Sequence, residues 1–504
     1  MQDGALPAGT LSTGIAGLDS ILRGGLTPHR LYLYQGVPGS GKTTMATQFL
    51  LEGVARGERV LFVALSETEH ELQESAASHG WSLDGIHVHE LLPDNDQLDP
   101  GAQYTMFHPS EIELGETTRR ILDAVEALKP QRVVIDSLAE IRLLAGSPLR
   151  FRRQVMALKQ YFIGRGMTVL LLDESNIQDE ELHVHTIVHG VVELEQMRPQ
   201  YGGDRRRLRV SKFRGRAIHS GYHDYLIATG GVQVYPRLVA AHYRRDGENA
   251  PMSSGLPSLD ALLGGGLDRG TSTLFIGAAG TGKSSLASHF VMAAAERGEA
   301  SAMFLFDESI RSLVTRSRGI GFDLEQHIDS GLVKVKALDP AELSPGEFIE
   351  CIRDAVEKHD ARVVVIDSLN GYLNAMPEEH FVIVQLHELL AYLGQLGVVT
   401  VMINAQQGLI GHMSSSIDVS YLADTVVLLR YFETRGEVRQ AISALKKRTG
   451  HHERTIRELR ITSHGLQIGA PLKNFRGVLT GVPHEEPEQR GPVVEAPATE
   501  PAIR

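Results

Sequence analysis

Two glycine-rich segments of the chain have the residue types and spacing that bind a triphosphate. Residues 36–43 (GVPGSGKT) and residues 277–284 (GAAGTGKS) both match the pattern GxxxxGK[ST]. In such a loop the backbone N–H groups and the lysine ammonium surround the phosphates, and the final hydroxyl ligates Mg²⁺. We therefore predict two sites for ATP with its Mg²⁺. The candidate binding residues are Gly36, Gly39, Ser40, Gly41, Lys42, Thr43 and Thr44 in the first half, and Gly277, Gly280, Thr281, Gly282, Lys283, Ser284 and Ser285 in the second.

An aspartate at the end of a predicted buried strand accompanies each loop. Asp136 ends the run 132–136, and Asp367 ends the run 362–367. In phosphate-loop NTPases an aspartate in this place holds Mg²⁺ together with the hydroxyl of the loop. The predicted metal ligands are therefore Thr43 with Asp136, and Ser284 with Asp367.

Further carboxylates follow two other predicted strands, 59–65 and 301–306. Glu67 comes shortly after the first strand, and Asp307 and Glu308 come directly after the second. Since ligands bind at the carboxyl ends of parallel strands, these acids can orient or deprotonate an attacking water. We take all three as candidate catalytic residues, with solvated strand-end acids as the alternative.

Late in each half, two cations alternate along a predicted strand. They are Lys212 and Arg214 in the first half, and Lys446 and Arg448 in the second. Alternate residues of a strand share a face, so each pair can meet a triphosphate, including one bound by a neighbouring subunit. The alternative is charge on a solvated edge strand.

The elements that must position these residues occur twice. Lys42 and Lys283 are 241 positions apart (283 − 42), and Asp19 and Asp260 have the same separation. Each loop lies between an apolar strand-like run and a stretch with helical spacing, and strands then alternate with helices. This order predicts two tandem α/β domains, each a mostly parallel doubly wound sheet flanked by helices. The predicted domains are residues 1–243 and 244–481, followed by a disordered tail, 482–504.

Composition narrows the class of protein. The chain has 504 residues, 42% hydrophobic residues, a net charge of −12 and one cysteine, Cys351. We expect a cytoplasmic protein, because one cysteine fits a reducing compartment and no run is long and apolar enough to span a membrane. The acidic net charge argues against a nucleic-acid partner, although Arg205, Arg206, Arg207 and Arg209 form a local basic row. His183, His185 and His189 suggest a metal site by residue type, but only weakly, because His183 and His185 on one strand face have no Cys or Asp partner beside them.

The chain resembles the KaiC family of circadian-clock ATPases within the RecA superfamily. The resemblance rests on the doubled opening with its Gly-Gly-Leu sequence, on the two loops and on the acids after the strands. It also rests on Ile-Asp-Ser at both second strands and on Lys-Phe-Arg-Gly at 212–215. It covers residues 10–475 and implies two RecA-like domains in a homohexamer, with ATP between neighbouring subunits and an unknown signalling protein as partner.

The family resemblance also implies roles for particular residues. The family has paired acids after the strand, whereas the first half here has Ser66 beside Glu67. Lys212, Arg214, Lys446 and Arg448 match cations that act across the subunit interface. Ser420 matches a phosphorylated serine, and Tyr421 replaces the neighbouring phosphorylated threonine; Ser414, Ser415 and Ser416 are nearby substitutes.

Three functions remain open from the sequence. The first is an Mg²⁺-ATP hydrolase with serine autokinase activity in the second domain. The second is a DNA-stimulated RecA-like motor. The third is a nucleotide-gated scaffold whose first ring does not hydrolyse ATP.

Overall fold

A computed structural model describes residues 9–91, 109–174, 182–199, 202–243, 250–374, 379–406, 419–480 and 484–485. The chain forms two compact units, Met1–Arg237 with Ser344–Glu350, and Leu238–Leu343 with Cys351–Arg504. The boundary predicted at 243/244 adjoins residues 244–249, which lie outside the described residues. In the predicted disordered tail, His484–Glu485 pairs as a short strand with Phe475–Arg476; the rest of the tail is also outside them.

In the first unit, nine described strands form one sheet in the order β3-β2-β4-β5-β1-β6-β7-β8-β9. The strands from β3 to β6 in this order are parallel, and β7, β8 and β9 continue as an antiparallel meander. The strands are β1 (Leu31–Gly36), β2 (Val60–Ala64), β3 (Ile86–Glu90), β4 (Arg132–Asp136), β5 (Thr168–Glu174), β6 (Gly190–Met197), β7 (Arg205–Phe213), β8 (Tyr222–Ala228) and β9 (Gly231–Tyr235). The helices are α1 (Ala16–Ile21), α2 (Lys42–Ala55), α3 (Glu69–Ser78), α4 (Pro109–Leu128), α5 (Leu138–Ala145), α6 (Pro148–Gly164) and α7 (Leu182–Ile187).

The second unit repeats this topology in a sheet of nine described strands, in the order β12-β11-β13-β14-β10-β15-β16-β17-β18. The strands are β10 (Ser272–Gly277), β11 (Ser301–Leu305), β12 (Val333–Ala337), β13 (Val363–Asp367), β14 (Val399–Ala405), β15 (Thr425–Thr434), β16 (Glu437–Lys447), β17 (Arg457–Thr462) and β18 (Gly465–Pro471), with β19 (Phe475–Arg476) and β20 (His484–Glu485) apart from the sheet. The helices from here to the end of the chain are α8 (Pro257–Leu262), α9 (Lys283–Glu296), α10 (Ile310–Gly319), α11 (Leu324–Asp329), α12 (Pro345–Glu357), α13 (Leu369–Asn374) and α14 (Glu379–Gln395). Of α12, residues 345–350 are counted with the first unit.

The central parallel strands are buried on both faces, which explains their unbroken apolar runs. All five residues of β4 and all five of β13 are buried. Helices cover both faces of each sheet, and the aliphatic side chains between the layers form the cores. The prediction of two tandem, mostly parallel α/β domains is confirmed, and the antiparallel meander adds a feature that the sequence reasoning did not specify.

The motif that opens each domain is a hydrogen-bonded turn closed by an aspartate, which we call the clasp: residues 12–19 in the first domain and 253–260 in the second. The Asp19 carboxylate accepts hydrogen bonds from Ser12 Oγ at 2.7 Å, Thr13 N at 2.8 Å and Thr13 Oγ1 at 2.7 Å. Asp260 repeats this arrangement with Ser253 and Ser254. A Cβ on Gly25 would lie 2.3 Å from the Leu11 carbonyl oxygen, so only glycine lets these two segments pair.

We expect Asp19→Ala to destabilise the first domain. The change removes three hydrogen bonds to a carboxylate and leaves buried donors without an acceptor, which costs about 2–4 kcal/mol of unfolding free energy. Denaturant unfolding of the full chain, compared with the matched Asp260→Ala variant, measures the effect. Unchanged unfolding in both variants would show that the clasp has no structural role.

Candidate functional site

The first glycine-rich loop joins β1 to α2 at the carboxyl edge of the sheet. Gly41 caps the helix with φ of +89°, a conformation that favours glycine. Lys42 is 9% exposed, and its Nζ donates to the Gly36 carbonyl oxygen at 2.8 Å and to that of Val37 at 3.1 Å. The ammonium therefore lies inside the loop, and burial lowers the pKa of Lys42.

The register of the sheet brings the predicted acids to this loop. Asp136 lies level with Ala64 on β2 and with Leu172 on β5. Thr43 Oγ1 donates to Asp136 Oδ2 at 2.8 Å. Burial raises the pKa of Asp136, while the Thr43 hydrogen bond and the Lys42 charge oppose that rise.

Glu67 lies at the same edge and is half-buried. Burial raises the pKa of Glu67, and the charges of Asp136 and Glu71 add to the rise, while Lys42 opposes it. A carboxylate with a raised pKa near the lysine of such a loop is suited to accept a proton from a nucleophile.

The second loop has the same construction between β10 and α9. Gly282 caps the helix with φ of +97°. Lys283 is 6% exposed, and its Nζ donates to the carbonyl oxygens of Gly277 at 3.0 Å and Ala278 at 2.7 Å. Burial lowers the pKa of Lys283 to about 8, while the Asp367 charge opposes that change. The buried Thr281 hydroxyl donates to Ala278 O at 2.9 Å, which is a hydrogen bond within the loop.

The arrangement around Asp367 fits a divalent cation. Burial raises the pKa of this carboxyl, and a hydrogen bond from Ser284 is the largest opposing effect. Asp367 Oδ2 is buried without a hydrogen-bond partner in the described part of the chain. A hard cation coordinates carboxylate and hydroxyl oxygens of this kind. The residues that would hold Mg²⁺ are Ser284 with Asp367 and, in the first domain, Thr43 with Asp136.

The two acids after β11 have different environments. Asp307 is exposed and accepts a hydrogen bond from Ser368 Oγ. Glu308 is half-buried and accepts from Arg316 Nη2 at 2.5 Å. Burial raises the pKa of Glu308, and the charge of Arg316 is the main opposing influence. The sequence reasoning missed Arg316, because the repeat gives it no counterpart: position 75 is a serine.

The four late cations lie away from the loop of their own domain. Lys212 is level with Val191 on β6 and thus with Leu33, three residues before Gly36. In the second domain Lys446 is level with Leu274 on β10, three residues before Gly277. Three residues of strand correspond to about 10 Å. Each cation therefore lies displaced from the phosphate loop, toward the amino-terminal ends of the parallel strands.

These cations bind backbone carbonyl groups near the start of β6 or β15. Lys212 Nζ donates to His185 O, and Arg214 Nη2 donates to Thr186 O at 2.9 Å. Lys159 Nζ, which the sequence reasoning did not single out, donates to the next carbonyl, Ile187 O, at 2.6 Å. Arg214 and Arg448 directly follow the ends of β7 and β16, and the prediction that each pair of cations meets a triphosphate stays a prediction.

In the second domain the same contacts involve the predicted phosphoacceptor. Lys446 Nζ donates to Ser420 O at 3.1 Å and to Ala423 O at 2.6 Å. Arg448 Nη2 donates to Tyr421 O at 2.7 Å. Ser420 is half-buried and Tyr421 is exposed. The alternative acceptors at positions 414–416 lie outside the described residues.

The weaker predicted sites have structural explanations. Acids pair with the basic row on β7: Arg207 with Glu195 at 2.8 Å and Arg209 with Glu193 at 2.5 Å. The prediction that His183 and His185 share a strand face is wrong. Residues 182–187 form α7, and residues i and i+2 of a helix point in different directions. In the part of the chain that the structure describes, no cluster of three His, Cys, Asp or Glu residues could hold a metal.

The fold and the loops define a protein with two tandem RecA-like P-loop ATPase domains. The family described as "ATPase: KaiC" matches residues 11–239 and 252–473, which is most of the chain. The chain therefore belongs to the KaiC ATPase family, and the family resemblance stated from the sequence is confirmed. None of the described helices is long and apolar enough to cross a bilayer.

Curated relatives are similar over almost the full length. The circadian clock oscillator protein KaiC of Prochlorococcus marinus (strain MIT 9313) is 29% identical over 497 residues, covering 94% of this chain and 95% of the relative. The circadian clock protein KaiC3 of Synechocystis sp. (strain ATCC 27184 / PCC 6803 / Kazusa) is 28% identical over 484 residues, covering 94% of each. The KaiC protein of Thermosynechococcus vestitus is 29% identical over 486 residues, covering 94% and 91%.

Proposed function

We propose that this chain is a cytoplasmic Mg²⁺-ATP hydrolase that assembles as a homohexamer and phosphorylates itself on Ser420. Its nucleotide state is read by a protein partner. The observation that carries the proposal is the repeated site at the sheet edge, where a buried lysine, a hydroxyl–aspartate pair and a nearby glutamate converge. Membership of the KaiC ATPase family supports the same proposal.

Hydrolysis follows from charge placement in the second domain. Lys283 neutralises the β- and γ-phosphates, and Mg²⁺, when bound, supplies further positive charge there. Glu308 aligns a water molecule and accepts its proton, with Asp307 as the second acid of the pair. In the first domain Glu67 has the same role, and Ser66 stands where Asp307 would be.

The position of the cations favours catalysis between subunits. Lys446 and Arg448 sit back along the sheet from Gly277 and are held against the segment that contains Ser420. A nucleotide bound by the neighbouring subunit can meet these cations, as an arginine finger meets a phosphate in trans. Lys212 and Arg214 have the corresponding role in the first domain.

The same geometry supports phosphoryl transfer to Ser420. The residue precedes β15, whose Thr425 is level with Thr273 near the start of β10, far from Gly277. Ser420 therefore lies away from the phosphate loop of its own domain, and it would receive the γ-phosphate from a nucleotide held by another subunit. Its hydroxyl oxygen forms the new O–P bond, ADP leaves with the electrons of the broken bond, and the hydroxyl proton passes to Asp307 or Glu308.

The alternative of a DNA-stimulated motor has less support. The net charge is −12, and acids neutralise Arg207 and Arg209 on the one basic row that the sequence reasoning identified. A nucleotide-gated first ring without turnover is favoured by one observation, the serine at position 66.

We expect γ-labelled ATP to transfer its label to Ser420, because the adjoining cations hold this segment at the proposed interface. The test incubates purified full-length chain with labelled ATP and Mg²⁺, maps the labelled residue and counts released phosphate. Ser420→Ala should lose the label but keep phosphate release, and Tyr421→Phe should keep both.

The same samples test assembly. Light scattering in ATP and Mg²⁺ should give a mass six times that of one chain. Label confined to Tyr421 would contradict Ser420 as the acceptor, and labelling by isolated single chains would contradict the proposed transfer between subunits. Phosphate release that requires single-stranded DNA would favour the motor instead.

A further inference from the structure

One arginine ties the second domain's glutamate to the helix that follows the phosphate loop. Arg316 Nη2 lies 2.5 Å from Glu308 Oε1, and Arg316 Nη1 donates to Ser285 Oγ at 3.4 Å. The guanidinium therefore links the end of β11, helix α10 and the first turn of α9. Ser285 is 5% exposed and directly follows the proposed metal ligand Ser284.

We propose that Arg316 is the positioning residue for Glu308, and that it fixes the carboxylate in the orientation that aligns the nucleophile in the second domain only. This inference rests on the proposed function, in which Glu308 is the catalytic acid–base. A glutamate has three rotatable side-chain bonds, and a planar guanidinium anchored at two points restricts them. Reaction rates depend steeply on such placement.

The surroundings of Glu308 explain why it needs a cation. The acids that face it are Asp367 on β13 and Asp307 on its own segment, and Arg316 on α10 is the opposing cation. Without Arg316, repulsion from both acids would turn the Glu308 side chain toward solvent. The guanidinium is 27% exposed and the carboxylate 24%, so solvent only partly screens their attraction.

The first domain has no arginine at the position equivalent to Arg316. Helices α3 and α10 correspond residue by residue: Thr68 and Ser309 cap them, and Leu72 and Leu313 are buried at equivalent positions. In this alignment the residue equivalent to Arg316 is Ser75, which is exposed. Glu67 accordingly faces the acids Asp136 and Glu71, with Lys42 as its opposing charge. The two domains would thus hold the same catalytic acid with different precision.

The test measures ATP turnover in full-length chain that carries Glu67→Gln, so that turnover reports the second domain. We expect Arg316→Gln to lower kcat by about 10- to 100-fold while KM for ATP changes less than about twofold. Arg316→Lys should recover part of kcat, since a cation returns without the planar fork. Arg311→Gln is the matched control, because Arg311 is an exposed arginine on the same helix.

A double variant separates positioning from a general structural effect. If Arg316 acts through Glu308, adding Arg316→Gln to Glu308→Gln should lower kcat no further. The inference is overturned if Arg316→Gln matches Arg311→Gln in kcat, or if it raises KM alone. Failure of the proposed function looks different: Glu308→Gln would then turn over like its parent, whatever Arg316 does.

Discussion

Lys283→Ala is expected to abolish nucleotide retention by the second domain. The Lys283 side chain is buried within the loop, where its ammonium donates to two carbonyl groups. A lysine in this place of the motif contacts the β- and γ-phosphates. Charge-assisted hydrogen bonds to phosphate contribute about 1.5–3 kcal/mol each. Loss of two such contacts weakens ATP binding by at least about 100-fold.

The measurement is equilibrium binding of ATP with Mg²⁺ to the full-length chain. Lys42→Ala is the matched variant, because Lys42 has the same contacts in the first loop. Each variant should lose one site and keep the other. Unchanged affinity of the second site in Lys283→Ala would refute the assignment of residues 277–284 as a phosphate-binding loop.

Glu308→Gln is expected to bind ATP and turn it over slowly. The amide keeps the size of the side chain but cannot accept a proton, and general-base catalysis contributes about 100- to 10,000-fold to rate. Binding should not weaken, because one negative charge fewer faces the phosphates. Turnover of the second domain should fall at least about 100-fold.

Single-turnover measurements in the Glu67→Gln background isolate this step from ADP release. Asp307→Asn is the informative comparison, because Asp307 is the other acid of the pair and is held by Ser368 instead of an arginine. Parental turnover in Glu308→Gln together with slow turnover in Asp307→Asn would move the base to Asp307.

The phosphate loops and the acids could be predicted because each depends on local sequence. A loop with this glycine spacing between a strand and a helix is typical of phosphate binding. The 241-residue repeat places Glu67 and Glu308 in the same sequence context. Parallel strands then bring residues such as Asp136 and Thr43 together, although 93 positions separate them in the chain.

The remaining features depend on contacts that the sequence pattern does not encode. Arg316 lies 8 residues after Glu308, about two helical turns along the chain, and its counterpart in the first domain is Ser75. Lys159 meets the end of α7 from another helix. His183 and His185 alternate like strand residues, yet the short segment 182–187 is helical, because a six-residue run is too short for periodicity to decide between the two.

The central claim is that both halves of the chain hold ATP. The most direct test is to purify the full-length protein in ATP and Mg²⁺, denature it and count the nucleotides released per chain. Two nucleotides per chain are expected, falling to one in either Lys42→Ala or Lys283→Ala. Fewer than two from the unmodified protein at saturating ATP, or a count that neither substitution changes, would contradict the claim.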